Sequence, residues 1–597
     1  MSPGDYYEKQ INELTTSVGQ ITGKVERISL FRLMLAGMAI TCIVLLFRES
    51  NLLLWSGLVL AVGIFVFLVK ATTALKEEKR YKEELLKINR NEVKALAGDI
   101  SSFGNGKEYM DPEHPYSYDM DIFGDGSIFQ MLNRTSTRHG NETLAGCLTN
   151  LCTDKEEIIA RQKAVIELSG KIEWRQRFQA VGQLTVESPS DRGQIEYWLG
   201  VPNTFYGNKF YARIRKLVPA VTLAAWVVWA VGLVPVHLPV ILSSLQLMLT
   251  GQHLKYVNMR HQLIHKNLAT LRKFYRLMET IEQEEFSSEY LVAIKRKTFR
   301  NDQGPSASFA RLIRLVDQLD NRLNMVLAGI LNGLFLWDIN YMYQIEKWVD
   351  EFSEMFPEWI HAIAQFDACS SLAGFMYNHP GYDVPEVLDA DMFHLEVSKG
   401  GHPLLDREGL VTNDLVQKGS PNLLLITGAN MAGKSTFLRM IGVNLVLAMA
   451  GTCVCAERFA FTPVKLFTSM RTNDSVQRHT SFFFAELKRL KFIVDQVKQN
   501  KMSYIMLDEI LKGTNSRDQH SGASKLIENI IRLNGVGMIA THDVDLTRLS
   551  AVHPGQIRNI AFEIEMENNE MKFDYTYRDG VCQNMNATML MEQMNIF

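Results

Sequence analysis

The sequence predicts an α + α/β chain: a helical region carrying two hydrophobic hairpins, followed by a domain with a mainly parallel sheet. Three observations predict it. Two stretches, 33–69 and 217–254, have about the length of paired membrane crossings and lack Asp, Glu, Lys and Arg apart from Arg48-Glu49 in the first. The residues between and after them repeat apolar positions at helical spacing. Beyond residue 400, short apolar runs ending in glycine, carboxylate or histidine alternate with helical patterns, as in parallel βαβ units. The expected divisions are 1–100, 101–400 and 401–597.

The first division holds the first hairpin, at about 30–69. Leu33–Phe47 and Ser50–Val69 are uncharged, with Arg48-Glu49 between them. A long polar segment precedes the first apolar run, so a cleaved signal peptide is not expected. Lys24, Arg27 and Arg32 precede this hairpin, and Lys70, Lys76, Lys79, Arg80 and Lys82 follow it. Residues 71–100 continue as a charged juxtamembrane helix.

The second division starts with a loop or linker over 101–125, rich in Gly, Asp, Pro and Tyr. Helical patterns dominate 126–200 and 255–392, with Trp337, Trp348 and Trp359 as core residues. Between them lies the uncharged stretch Leu217–Leu254, read as a second membrane hairpin at about 217–254. Its expected helices are Val218–Val234 and Val236–Leu249, turning at Pro235 and Pro239. Arg213, Arg215 and Lys216 precede it, and Lys255 and Arg260 follow. Positive charge thus flanks both hairpins and is nearly absent from their turns. The positive-inside rule then places both termini and the bulk of the chain on the cytoplasmic face of a membrane.

Composition excludes several classes. The chain has 597 residues, enough for roughly four domain-sized units. With 47% hydrophobic and 22% charged residues it can bury a core, which excludes disorder as its main state. A net charge of -3, from 63 Lys+Arg against 66 Asp+Glu, gives no global basic field for nucleic acid. Lys488, Arg489 and Lys491 are candidates for a local basic patch, or for an ordinary solvated helix face. Seven cysteines are too few for a disulfide scaffold and suit a reducing compartment. Cys453 and Cys455 read as buried thiols.

The chemistry is concentrated in the third division. Asn422–Thr427 is a buried strand that runs into Gly428-Ala429-Asn430-Met431-Ala432-Gly433-Lys434-Ser435-Thr436, and an apolar helix follows. This is G-x-x-x-x-G-K-[ST] in its strand–loop–helix setting. Backbone N–H groups of the loop and helix start face phosphates, Lys434 reaches the β and γ phosphates, and the Ser435 hydroxyl is a ligand for Mg²⁺. A second strand, Ser503–Leu507, ends in Asp508-Glu509. Asp508 is placed to support the metal, and Glu509 to polarise the attacking water. A third strand, Gly537–Ala540, ends in Thr541-His542, whose imidazole can meet the γ phosphate or the water. The predicted cofactors are ATP and Mg²⁺.

At this point the residues resemble the MutS family of DNA mismatch-repair ATPases. The run Thr427–Arg439, with Asn430-Met431 inside it, resembles the family's nucleotide loop. Asp508–Thr514 resembles its Walker B turn, Ala540-Thr541-His542 its switch histidine, and Ser481–Leu487 its signature segment. Leu132–Thr137 with Gly140 looks like the start of its core domain, and Gly401–Leu405 like the lead-in to its ATPase domain. The likeness is strong over 401–560, weaker over 126–400, and absent from 1–100. It implies a helical core and lever domain, then an ABC-type P-loop ATPase domain. It also implies a homodimer in which Ser481 is offered in trans to the partner's nucleotide, and DNA as a partner. The sequence departs at Thr480, where a basic residue is usual. Leu511 stands where the family has glycine, Lys512 replaces the common Arg, and Asp543 stands where an aromatic is usual. The mismatch-reading domain has no counterpart. The expected function is a membrane-anchored MutS-like ATPase acting in mismatch repair or related DNA processing. An ATP-driven dimerising clamp on a membrane protein partner is the alternative, and a transporter ATPase ranks third because no charged pathway runs through the spans.

Overall fold

In a computed structural model, the described residues are 2–47, 52–299, 304–389, 391–405, 409–429, 431–471, 482–567 and 570–583. They begin with two long helices, Pro3–Leu46 and Leu52–Leu96. The first is launched by a capping box, in which Ser2 Oγ accepts from the Asp5 N–H (3.2 Å) and Asp5 Oδ2 accepts from the Ser2 N–H (3.1 Å). The helices run antiparallel: Lys82 Nζ donates to Ser17 Oγ at 2.8 Å near one end, and the Arg32 guanidinium lies 5.1 Å from the Phe65 ring centre near the other. Forty-four residues make a rod of about 66 Å, roughly twice a bilayer core. These are the two helices, among the described residues, long and apolar enough to cross a membrane singly. Their apolar ends are bare, with Leu33 and Phe67 each 70% exposed.

The other end of the rod is docked through buried polar groups. Tyr7 OH donates to Asn378 Oδ1 and Asn378 Nδ2 donates to Glu92 Oε2, both at 2.8 Å. Glu92 also pairs bidentately with Arg134 at 2.6 and 3.1 Å. Such a network fixes the seating angle, because any slip leaves buried charges unpaired.

The helical region is built around Trp198, Trp348 and Trp359, all essentially buried. Trp337 sits at the edge of this core, its indole N–H donating to the Gln318 carbonyl at 2.9 Å. Glu346 is fully buried yet satisfied: it accepts from the N–H groups of Thr204, Phe205 and Tyr206 and pairs with Arg260 at 3.4 Å. Asp367 plays a similar part for the 132–140 segment. It accepts from the backbone N–H and hydroxyl of both Ser136 and Thr137, and burial pushes its carboxyl up to about 6. Gly140 is required there, since a Cβ would lie 2.2 Å from Asp367 Oδ2.

Two expectations need correction in this region. The helices of the second hairpin are Lys209–Ala230 and His237–Gln252, and the basic cluster Lys209–Lys216 occupies the start of the first. Its uncharged part, Leu217–Ala230, is about 21 Å long, and the second helix is about 24 Å. Both are shorter than the ~30 Å core of a bilayer, and neither is among the described helices long and apolar enough to cross a membrane singly. A third apolar helix that the sequence did not single out, Met325–Phe335, packs against both. The three form an apolar cap on which Leu217, Ile241 and Met325 are exposed. Leu336, in the left-handed region at φ 48°, then turns the chain by 79° into the helix Trp337–Phe352. The second correction concerns 101–125. The segment is irregular apart from a short turn of helix at Lys107–Tyr109, but it is a packed strap, with Met120 and Ile122 fully buried. Asp119 accepts from Thr468 Oγ1 (2.5 Å) and from the Arg471 N–H (2.9 Å).

The carboxyl-terminal part contains two sheets. A four-stranded sheet has the order β1 (Glu386–Val387), β5 (Arg458–Phe461), β2 (His394–Gly400), β3 (Asn413–Lys418). A six-stranded sheet has the order β10 (Glu570–Asp579), β9 (Ile557–Glu567), β4 (Asn422–Gly428), β8 (Val536–Ala540), β7 (Ser503–Asp508), β6 (Lys465–Ser469). All its pairings are parallel except β9 with β10. The central strands are uniformly apolar because helices cover both faces. Helix Lys434–Ala450 covers one face, and helices Phe482–Gln499 and Ser516–Arg532 serve the other.

Candidate nucleotide site

The sheet order puts the three chemically marked strand ends side by side. β8 lies between β4 and β7, and Ala540 is in register with both Ile426 and Asp508. Gly428, Asp508 and His542 therefore meet at the carboxyl edge, where open parallel sheets bind ligands. The loop between β4 and its helix needs unusual backbone. Gly428 has φ 154° and packs so tightly that a Cβ would lie 2.6 Å from the Phe562 carbonyl oxygen, while Gly433 has φ 105°. Met431 adopts φ 67° and is 74% exposed. Asn430 lies outside the described residues.

Lys434 is almost fully buried, and its ammonium donates to the carbonyls of Gly428 and Ala429, both at 2.8 Å. Burial lowers its pKa, partly opposed by the charges of Glu509 and Asp508. The ammonium is thus held inside the loop, pointing where phosphate oxygens would replace the two carbonyls. Ser435 Oγ donates to Asp508 Oδ2 at 2.6 Å. Asp508 Oδ1 is buried and has no hydrogen-bond partner, and burial raises the carboxyl's pKa. A hydroxyl beside a carboxylate with an orphaned oxygen is a donor set that fits Mg²⁺, a hard cation that takes oxygen ligands.

Glu509 is gripped on both oxygens. Oε1 lies 2.7 Å from His542 Nε2, and Oε2 lies 2.8 Å from Lys512 Nζ. The hydrogen bond with His542, then the contact with Lys512, pull its pKa down to about 2 against the opposing effect of burial. Its backbone sits at φ 51°, anchored by its N–H donating to the Ala540 carbonyl at 2.9 Å. His542 also approaches Lys434, Nε2 to Nζ 3.5 Å. Lys434, Asp508, Glu509 and His542 therefore form one continuous cluster with Ser435. Ser481 lies outside the described residues.

Sequence reasoning missed the parts played by five residues. Glu486, inside the signature-like segment, is buried and accepts a short hydrogen bond from the Leu511 N–H. Leu511, where glycine was expected, has φ 61°, so the turn does use the conformation that glycine favours. Lys512 completes the grip on Glu509. Tyr575 and His402 line the far side of a cavity of about 560 Å³, whose near side is Met431–Phe437 and Glu509. Burial, then the charge of Arg439, depress His402 to about 4, so it is neutral at pH 7. The cavity thus has a polar phosphate end and an uncharged end with His402, Leu405 and Tyr575, and its volume suits a nucleotide. The only hint in the sequence was the Gly401-His402-Pro403 lead-in.

Arg489, considered for a basic surface, faces inward. It donates to the carbonyls of Thr468 (2.9 Å), Glu113 (3.0 Å), His114 (2.8 Å) and Pro115 (2.6 Å). Lys488 and Lys491 remain exposed. Cys453 and Cys455 are buried.

Comparison with known proteins agrees with this geometry. Residues 424–594 match the family model MutS domain V. Among curated relatives, the DNA mismatch repair protein MutS of Thermotoga maritima is 33% identical over 240 residues, 39% of this chain and 29% of that protein. The MutS protein homolog 4 of Homo sapiens is 32% identical over 206 residues, 33% of this chain and 21% of its own length. The DNA mismatch repair protein MSH4 of Arabidopsis thaliana is 30% identical over 203 residues, 33% of this chain and 25% of its length. The chain thus spans less than a third of the length of these relatives, and it is this nucleotide-loop domain that is similar to MutS domain V.

Proposed function

We propose that the chain is a membrane-anchored MutS-like ATPase that binds and hydrolyses Mg-ATP and couples this to DNA binding in mismatch repair or related DNA processing. The observation that carries the reading is the cluster at the strand ends: a buried loop lysine, a serine–aspartate pair with one free carboxylate oxygen, and a glutamate joined to a histidine. Gly428–Thr436, including Asn430, hold the phosphates. Ser435 and Asp508 would hold Mg²⁺, which when bound neutralises phosphate charge. Glu509 orients and deprotonates the attacking water, and His542 senses the γ phosphate across the 3.5 Å gap to Lys434. The ATPase domains form a homodimer, with Ser481 acting in trans. The Pro3–Leu46 and Leu52–Leu96 helices anchor the chain in the cytoplasmic membrane, with its bulk and both termini on the cytoplasmic side.

A second reading is an ATP-driven dimerising clamp on a membrane protein partner. Arg489, spent on four backbone carbonyls, favours it by thinning the basic patch that DNA would meet. The experiment is DNA binding by the full-length protein in detergent, with homoduplex, mismatched and branched DNA, over a salt series, with and without ATP. Structure-selective, salt-dependent binding that ATP alters supports the DNA reading. No binding at low salt with ATP turnover intact refutes it and leaves the clamp.

A further inference from the structure

Helix Leu254–Lys266 carries His261 and His265 one turn apart, so both rings leave the same helix face. They converge on Asp320, the first residue of the short turn Asp320–Leu323. His261 Nε2 lies 2.6 Å and His265 Nδ1 lies 3.1 Å from the same oxygen, Asp320 Oδ1. The three ligand atoms lie within 4.8 Å of one another. His261 is buried, His265 is half exposed and Asp320 is a quarter exposed, so the cluster has a closed floor and a solvent-facing mouth. We propose that His261, His265 and Asp320 form a binding site for a divalent transition-metal ion of the zinc class, independent of the nucleotide site.

The donor set is two imidazoles and one carboxylate, which suits a borderline ion such as Zn²⁺ and not Mg²⁺ or Ca²⁺. Bonds of 2.0–2.2 Å in a tetrahedron put neighbouring ligands about 3.3 Å apart. The present spacings of 2.6 and 3.1 Å need outward shifts of about 0.7 and 0.2 Å to reach this, and part-exposed Asp320 and half-exposed His265 can supply the movement. Water takes the fourth position through the mouth. Beside the cluster, Arg322 pairs with Asp338 at 3.0 Å, both nearly buried, and the Asp320 carboxylate faces the two imidazoles. A cluster held by hydrogen bonds alone would ask one oxygen to accept from two rings while His265 gains little from ordering.

The location gives the ion a task. Helix Leu254–Lys266 follows the apolar helix His237–Gln252 at once, and the Asp320–Leu323 turn leads into the apolar helix Met325–Phe335. An ion between them pins the two roots of the apolar cap to each other and sets the angle at which that cap is presented.

The test uses full-length, untagged protein in detergent, stripped with a chelator and free of nucleotide and Mg²⁺. Co²⁺ serves as the spectroscopic probe and Zn²⁺ as competitor. The expected result is one equivalent of Co²⁺ with the intense visible absorption of a four-coordinate site, lost on adding Zn²⁺. His265→Ala, at a half-exposed position that tolerates truncation, should weaken Co²⁺ binding at least tenfold while ATP binding is retained. His265→Cys should restore binding and add a thiolate-to-cobalt charge-transfer band, which a merely structural role for His265 cannot produce. Absence of the wild-type spectrum, an unchanged spectrum in His265→Ala, or no recovery in His265→Cys overturns the proposal.

Discussion

Replacing Lys512 by methionine isolates one half of the grip on Glu509. The methionine keeps the length and apolar stem of lysine and removes its charge. Glu509 is held to about 2, against an ordinary value of 4.5, by His542 first and Lys512 second. A carboxylate so stabilised is a poor proton acceptor, and general-base efficiency rises with basicity. If the lost contact returns about one unit of basicity, a Brønsted slope of about 0.5 gives roughly a threefold faster chemical step. The His542 contact at 2.7 Å stays and keeps Glu509 aimed at the same place. The assay is single-turnover ATP hydrolysis at saturating Mg²⁺, from pH 6 to 9, with ATP affinity measured in parallel. An increase of two- to fivefold in the hydrolysis rate, with affinity changed less than twofold, is expected. A tenfold loss of rate refutes the reasoning, because Lys512 would then serve the phosphates or the transition state and would not restrain the base.

Three further changes test neighbouring claims. Lys434→Ala removes the buried ammonium that bonds to Gly428 and Ala429, and ATP binding should fall below detection in equilibrium titration, with unfolding temperature changed little. Asp508→Asn should leave Mg²⁺-free ATP binding within a few-fold and lower Mg²⁺-supported turnover at least 100-fold. Because burial raises the Asp508 pKa, its contribution to the stability of the metal-free fold is full below the ordinary value of 3.8 and is lost as pH rises through the folded value. Mg²⁺ needs the ionised form, so wild-type Mg²⁺ affinity should fall as the pH is lowered toward the raised Asp508 pKa, and this dependence should vanish in Asp508→Asn. Leu511→Gly relieves about 1–2 kcal/mol of left-handed strain but forfeits about 1.5–3 kcal/mol of burial and adds chain entropy. The net is a loss of about 1 kcal/mol by thermal unfolding, and a gain would mean that strain outweighs packing.

What the sequence revealed followed the range of the forces involved. The P-loop, the two carboxylates and His542 were legible because each sits at the end of a buried strand, and a parallel sheet brings strand ends together whatever the loops do. Helix Pro3–Leu46 was legible as apolar over its second half, but its capping box and polar start merge into one rod, so it is longer than any membrane span. The cap helix Met325–Phe335 was missed because eleven residues are too few to register against the helical patterns around it. The 101–125 strap was mistaken for a linker because its composition does signal irregular backbone. What fastens it, Asp119 on Thr468 and Arg489 on three of its carbonyls, spans more than 300 positions of sequence. Glu486 and Lys512 went unassigned for the same reason: their roles are contacts across a turn that no spacing announces.

Helix Phe482–Gln499 joins the hydrolytic centre to the rest of the chain. Glu486 reaches the turn that carries Leu511 and Lys512, one residue apart, and Lys512 holds Glu509. Arg489, three residues further along the same helix, grips the 113–115 backbone of the strap that leads into the helical region. A small rotation of this helix would alter the Walker B turn and the strap together, since both contacts involve buried charge that cannot be left unpaired cheaply. Spatial adjacency alone does not establish such coupling. A double-mutant cycle does: Glu486→Gln and Arg489→Met, alone and combined, read by the hydrolysis rate. Glu486→Gln weakens the bond from the Leu511 N–H and Arg489→Met removes four bonds to carbonyls, a charge-assisted hydrogen bond being worth about 1.5–3 kcal/mol in stability terms. If the helix transmits as a rigid body, the second change costs less once the first has freed it, giving a coupling of at least ~0.5 kcal/mol, about twofold in rate. Additive effects within ~0.3 kcal/mol would mean that Glu486 shapes the turn and Arg489 seats the strap as separate tasks, with no mechanical line between nucleotide and helical region along this route.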